Sequence, residues 1–169
     1  IDLSPSEEYI LSTTEEQKAH VWSLQGRLYY QMEHSSPVIG GAFLPWNTEK
    51  QALTIAQDST AYFWDSDGKL IRKHQLKGPI TGYAFNNTMK LSLLWGNDGI
   101  SMLADTGEVW SFYTDQKNLI NASFSSNGDY FLIATPDSVQ TWWIKPLSIG
   151  YLPQVRATID GPIHWANYI

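Results

Sequence analysis

The sequence predicts an all-β fold, a β-propeller of four-stranded antiparallel blades. Three observations carry this expectation. A period of about forty residues recurs four times, short apolar runs alternate with turn residues inside each period, and no segment sustains a helical period. The period is read from an anchor column, Trp22, Trp64, Leu103 and Trp143. Four residues after the first three anchors stand Gly26, Gly68 and Gly107, each in a polar turn. Six residues before an anchor stand Glu16, Asp58 and Asp137; in the third period Asp98 falls one residue short of that spacing. About twenty residues before the anchors stand Leu3, Phe43, Phe85 and Phe124.

Each period divides into four strand candidates. The second gives Val38–Leu44, Ala52–Ala56, Thr60–Trp64 and Lys69–His74. The third gives Ile80–Phe85, Leu91–Trp95, Ile100–Leu103 and Glu108–Tyr113. The fourth gives Leu119–Ser125, Tyr130–Thr135, Ser138–Ile144 and a weaker last strand. Short strands with regular turn signals fit a sandwich, a barrel or a propeller. The strict period favours the propeller, because a single four-stranded sheet cannot bury both of its faces alone. The expected organisation is one domain over 1–169, with repeats at 1–37, 38–78, 79–118 and 119–162. Residues 163–169 read as a first strand that completes the first blade.

Composition agrees with a packed sheet protein. Hydrophobic residues make up 43% and charged residues 17%, a globular balance. Eight Trp and nine Tyr suit sheets, where aromatic side chains are favoured. The net charge of −6 comes without any Lys/Arg cluster, which argues against nucleic acid and anionic membranes as partners. With no Cys, disulfides, thiolate nucleophiles and cysteine metal sites are excluded. The compartment stays open between cytoplasmic and extracytoplasmic. No apolar run reaches the ~18 residues of a spanning helix.

Several passages resemble the WD40-repeat family. Thr60-Ala-Tyr-Phe-Trp-Asp65 looks like the strand ending in the Trp-Asp dipeptide. Phe124-Ser-Ser-Asn-Gly-Asp-Tyr-Phe-Leu-Ile-Ala134 resembles the passage from first to second strand, and Leu3-Ser-Pro-Ser-Glu-Glu-Tyr-Ile-Leu11 is similar to it. His34, in Glu33-His-Ser-Ser-Pro-Val38, sits where the family usually has Gly-His. The resemblance covers nearly the whole chain and implies four divergent repeats. It also implies a structural hydrogen-bond set of His34, Asp58 and Trp64, present together in the second repeat alone. An Asp in a tight turn accepts backbone N–H groups, and a neighbouring His can donate to the carboxylate and reach a hydroxyl with its other nitrogen. His34 and Asp58 also read as an acid–base pair; their repeat position favours blade structure.

Other motifs fall away. Asp65-Ser-Asp67-Gly68 resembles the start of a calcium loop, but Leu76 stands where the bidentate Glu belongs, so a hairpin turn is expected. The histidines His20, His34, His74 and His164 lack metalloprotease spacing, and no serine elbow or phosphate-binding glycine loop occurs. No catalytic residue, cofactor or metal ligand is assigned. Glu7-Glu8 and Glu15-Glu16 read as solvated loop charge. Asn86-Asn87-Thr88 and Asn121-Ala122-Ser123 match the glycosylation sequon, a pattern common by chance. Trp22, Trp64 and Trp143 are expected in the core. Trp46, in a loop, and Trp95, before Gly96-Asn-Asp-Gly99, are expected to be exposed and are the candidates for partner binding.

The chain starts at Ile1 rather than Met, which points to a segment of a longer chain. A partial propeller, a closed four-bladed ring and a ring closed by self-association of two copies all remain open, with the first favoured. The leading functional expectation is a non-catalytic scaffold that binds a protein partner. An extracytoplasmic binder of a glycan or other small ligand is the alternative. A propeller enzyme comes last.

Overall fold

The computed structural model describes residues 1–47, 50–97, 99–112, 119–147 and 150–160, the last of these, 145–147 and Phe112 through their backbone alone. Four antiparallel sheets of four strands follow one another along the chain, each a simple meander. The first holds β1 (Asp2–Leu3), β2 (Tyr9–Thr14), β3 (Lys18–Ser23) and β4 (Leu28–Glu33). The second holds β5 (Val38–Phe43), β6 (Ala52–Ala56), β7 (Thr60–Trp64) and β8 (Leu70–Gln75). The third holds β9 (Ile80–Asn86), β10 (Leu91–Gly96), β11 (Gly99–Ala104) and β12 (Val109–Phe112). The fourth holds β13 (Asn121–Phe124), β14 (Tyr130–Ala134), β15 (Ser138–Leu147) and β16 (Gly150–Asp160). The last strand, expected to be weak, is the longest of these. The two compact units are Ile1–Pro79 and Ile80–Ile169.

In the first unit, two sheets share one core. Leu11, Ala19, Val21 and Met32 from the first sheet meet Phe43, Ala52, Ala56, Tyr62 and Trp64 from the second. Every residue of β6 and β7 is buried, as their near-continuous apolar sequence requires, whereas β3 alternates buried and half-buried positions. In the second unit Leu91, Leu93, Trp95, Ile100 and Met102 pack with Leu119, Ala122, Phe131, Ile133 and Ile144.

Register aligns the sheets. Leu3 pairs with Ile10, Phe43 with Ala52, Phe85 with Ser92 and Phe124 with Phe131, so these four occupy one position of the first strand. The turns at Gly26, Gly68 and Gly107 are also equivalent. In each the glycine has positive φ and its N–H returns to the residue three before it. The hairpin between second and third strands is where the sheets differ. Thr14 pairs with Lys18 across three residues, and the second sheet likewise turns through Gln57–Ser59. Gly96 pairs with Gly99 across two residues, and Thr135 and Ser138 are bonded across Pro136–Asp137. The residue missing from the third and fourth turns is the one held at left-handed φ in the others, Gln17 (64°) and Ser59 (68°).

This shortening moves the fourth anchor. Trp22 pairs with Ile10 and Trp64 with Ala52; the matching partner in the fourth sheet, Phe131, pairs with Trp142 rather than Trp143. A bulge marks the same position. The pairing with the outer strand slips between Val21 and Trp22, Phe63 and Trp64, and Thr141 and Trp142. The extra outer-strand residues are Tyr29, Ile71 and Arg156. In the third sheet, with Leu103 at the anchor, β11 pairs with the outer strand β12 in unbroken register. The expected Tyr113 end of β12, Asp98, His164, Trp165 and the closing strand at 163–169 lie outside the described residues.

Candidate functional site

The structure gathers His34, Thr54 and Trp64 into one buried chain in the first unit. His34 follows β4, where its backbone N–H bonds Gln17 O across the first sheet. Its ring reaches into the second sheet. Trp64 Nε1–H donates to Thr54 Oγ1 at 2.7 Å, and Thr54 Oγ1 lies 2.7 Å from His34 Nε2. The indole can only donate. The hydroxyl therefore accepts from Trp64 and, with a second lone pair and its own proton, also pairs with His34 Nε2. Burial lowers the His34 pKa; the carbonyls of Gln17 and Met32 and the Asp58 charge oppose that shift without overcoming it. The His34 ring also stands edge-on to Tyr62 (4.7 Å) and Trp64 (5.1 Å), which stack on each other at 5.9 Å.

Asp58 belongs to a second relay. Its Oδ1 accepts Thr60 N–H at 3.1 Å, the expected turn bond. Its Oδ2 accepts Ser35 Oγ–H at 3.1 Å, and Tyr62 O–H donates to Ser35 Oγ at 2.7 Å. The direct bond from His34 to Asp58 is not made; Ser35 supplies the carboxylate's donor, and Thr54 pairs with Nε2 of the imidazole. All three expected residues thus sit together around Tyr62, joined through Thr54 and Ser35. Thr54 had a sequence signal: Ser12 and Thr54 both stand ten residues before an anchor Trp. In the first sheet Trp22 Nε1–H donates to Ser12 Oγ at 2.8 Å, the same bond without a histidine.

The expected exposed tryptophans separate. Trp95 is 5% exposed and part of the core. Strand β10 runs one residue further than expected, and the indole lies over Gly82, where a Cβ would meet the ring at 2.3 Å. That glycine makes room for the ring, so Trp95 is no contact surface. Trp46 is half-buried in the β5–β6 loop with its indole nitrogen shielded. Asp65 caps its hairpin, accepting Asp67 N–H and Lys69 N–H on Oδ1, as a plain turn should. Among the described residues no cluster of His, Cys, Asp and Glu is placed to hold a metal. The sequon residue Asn86 is 3% exposed, with its amide donating to Gly128 O and accepting Met89 N–H.

No family model matches the chain, and no curated protein matches it in sequence. Solved structures do: 1089 chains match, so the fold is widespread and its use has to be read from the site. One is the β-propeller domain of Cps50 (Swd1) from Myceliophteria thermophila. It is 18% identical with a TM-score of 0.66, over 94% of this chain and 56% of that one. The four meander sheets are therefore blades of a β-propeller fold. The chain spans a little over half the length of that domain.

Proposed function

We propose that the chain is a WD40-type, non-catalytic scaffold that holds a protein partner on the outer strands of its blades. The supporting observation is the bulge at each anchor Trp. It releases Tyr29 (43% exposed) and Ile71 (54%) from the pairing of their strands, beside exposed Leu28 and Leu70. A bulge re-aims a side chain, and apolar residues released to solvent at one repeated position fit an interface. Trp46 is a further contact in this reading. The residues that resemble acid–base machinery, His34 and Asp58, are instead bonded into the blade. A glycan-binding face would need a row of exposed Trp or Tyr on one face, and among the described tyrosines only Tyr29 is exposed. Trp64 and Trp95 are buried, and Trp22, Trp46, Trp110, Trp142 and Trp143 half-buried.

Site-specific photo-crosslinking tests the proposal. A crosslinker at position 71 or 46 should yield a discrete protein adduct that unlabelled wild-type chain competes away, while one at position 15 should not. Equal labelling at all three positions would sink the scaffold reading.

A further inference from the structure

The first sheet carries a cleft of about 190 Å³ between two of its turns. One is the Glu7–Glu8 turn from β1 to β2; the other is the Ser23–Gln25 turn from β3 to β4; the rings of Tyr9 and Tyr29 complete the lining. Its volume holds one long side chain, or roughly six waters at ~30 Å³ each. Both turns are built rather than loose. Ser4 Oγ accepts Glu8 N–H and Tyr9 N–H, Ser23 Oγ accepts Gln25 N–H and Arg27 N–H, and Leu24 N–H bonds Glu8 O from one turn to the other. The lining contains two carboxylates and no cation. Glu7 and Glu8 are both exposed.

The molecule itself shows what the aromatic walls accept. Lys50 Nζ stands 4.9 Å from the Tyr9 ring centroid and 5.0 Å from that of Tyr29, and the Arg27 guanidinium stands 5.5 Å from Tyr29. The two rings meet edge to face at 5.1 Å. Cations over tyrosine faces are a favourable pairing in their own right. Glu7 sits at φ 57°, a left-handed conformation, at the position where the equivalent turn of the fourth sheet has Gly128 at φ 80°. A glycine would relieve that position, yet a carboxylate stands there.

The geometry points to a recognition site for a lysine or arginine side chain of a partner protein, walled by Tyr9 and Tyr29 and charged by Glu7 and Glu8. It rests on the scaffold reading and names the chemistry of the partner. The bulge at Trp22 turns Tyr29 toward this cleft's lining, and the overall charge of −6 favours a basic partner. Lys50 acts as a tethered cation that an incoming one competes with.

The test titrates the full chain with the capped peptides acetyl-Gly-Arg-Gly-amide, acetyl-Gly-Lys-Gly-amide and acetyl-Gly-Gln-Gly-amide, following the amide resonances of Glu8 and Leu24. The basic peptides should give saturable shifts with millimolar dissociation constants, and the Gln peptide none. Glu8→Gln and Tyr29→Ala should each weaken binding several-fold. Lys50→Gln should tighten it more than the charge-matched Lys18→Gln at the other end of β3. Glu7→Gly removes a carboxylate while relieving its backbone, so its weakening is read without a folding penalty. Equal shifts with the Gln peptide, unchanged binding in Glu7→Gly and Glu8→Gln, or equal effects of the two lysine variants would overturn the site. The crosslinks at positions 46 and 71 do not depend on this cleft, so failure of the site and failure of the scaffold reading give different results.

Discussion

The first two blades place the same indole bond in different surroundings. In the second, Trp64 is 5% exposed and its N–H begins a relay through Thr54 to His34. In the first, Trp22 is half-buried, bonds Ser12 and has His20 tilted against it at 5.5 Å. In the second blade the added partner comes from the preceding outer strand. His34 comes from the end of β4, bonded to the first sheet by its backbone and to the second by its ring. The relay is therefore a fastening between neighbouring sheets, and the bond in the first sheet holds only that sheet together.

Removing the indoles should separate the two blades most. Trp64→Ala is expected to cost ~3–5 kcal/mol in denaturant unfolding, the range for a buried aromatic. Trp22→Ala should cost about 1–2 kcal/mol, since part of its surface is already in water. Equal costs would end the comparison.

The hydroxyls come next. Thr54→Val keeps the shape and strands two buried polar partners, so a loss of about 1–3 kcal/mol is expected. Ser12→Ala leaves a half-exposed indole that water can reach, and should cost under about 1 kcal/mol. A double-mutant cycle of Thr54→Val with His34→Gln should show coupling that Ser12→Ala with His20→Gln does not.

Acid should act on the second blade. Burial holds the folded-state pKa of His34 below its ordinary value, so between that value and about 6.5 the unfolded chain binds more protons. Stability from this group is complete above about pH 6.5 and is lost as pH falls toward the folded-state pKa. His74 is shifted the same way by burial and Arg72, and contributes a parallel slope. His34→Gln should flatten the pH dependence of the unfolding midpoint below pH 6.5; an unchanged slope would assign it elsewhere.

The smallest effect lies in the two three-residue hairpins. Gln17→Gly and Ser59→Gly should each stabilise by about 0.5 kcal/mol, because the left-handed φ costs a side-chain-bearing residue more than glycine loses in entropy. A thermal shift of the same sign in both variants would show that the blades agree here.

Much of this was legible in the sequence, because it depends on local chemistry. Ala52–Ala56 and Thr60–Trp64 are strands within the expected bounds, since apolar runs between turn residues leave few other choices. The column of Leu3, Phe43, Phe85 and Phe124 survives in the register. What failed depends on pairing across strands. By period Trp143 reads as the anchor, because the Trp142-Trp143 doublet hides a one-residue change in hairpin length that the pairing of Trp142 with Phe131 reveals. Trp95 looked like a loop residue because nothing local marks Gly82 as the place made for its ring. Ser35 was invisible for a similar reason: its partners Asp58 and Tyr62 lie 23 and 27 residues away.

The bulge beside each anchor Trp has one more consequence. A residue outside the ladder can change identity without disturbing the strands that flank it. Here the three such residues are tyrosine, isoleucine and arginine, at positions 29, 71 and 156. Among the described residues, three sheets thus carry an interchangeable position, where the side chain presented can change while folding stays under the control of the residues beneath.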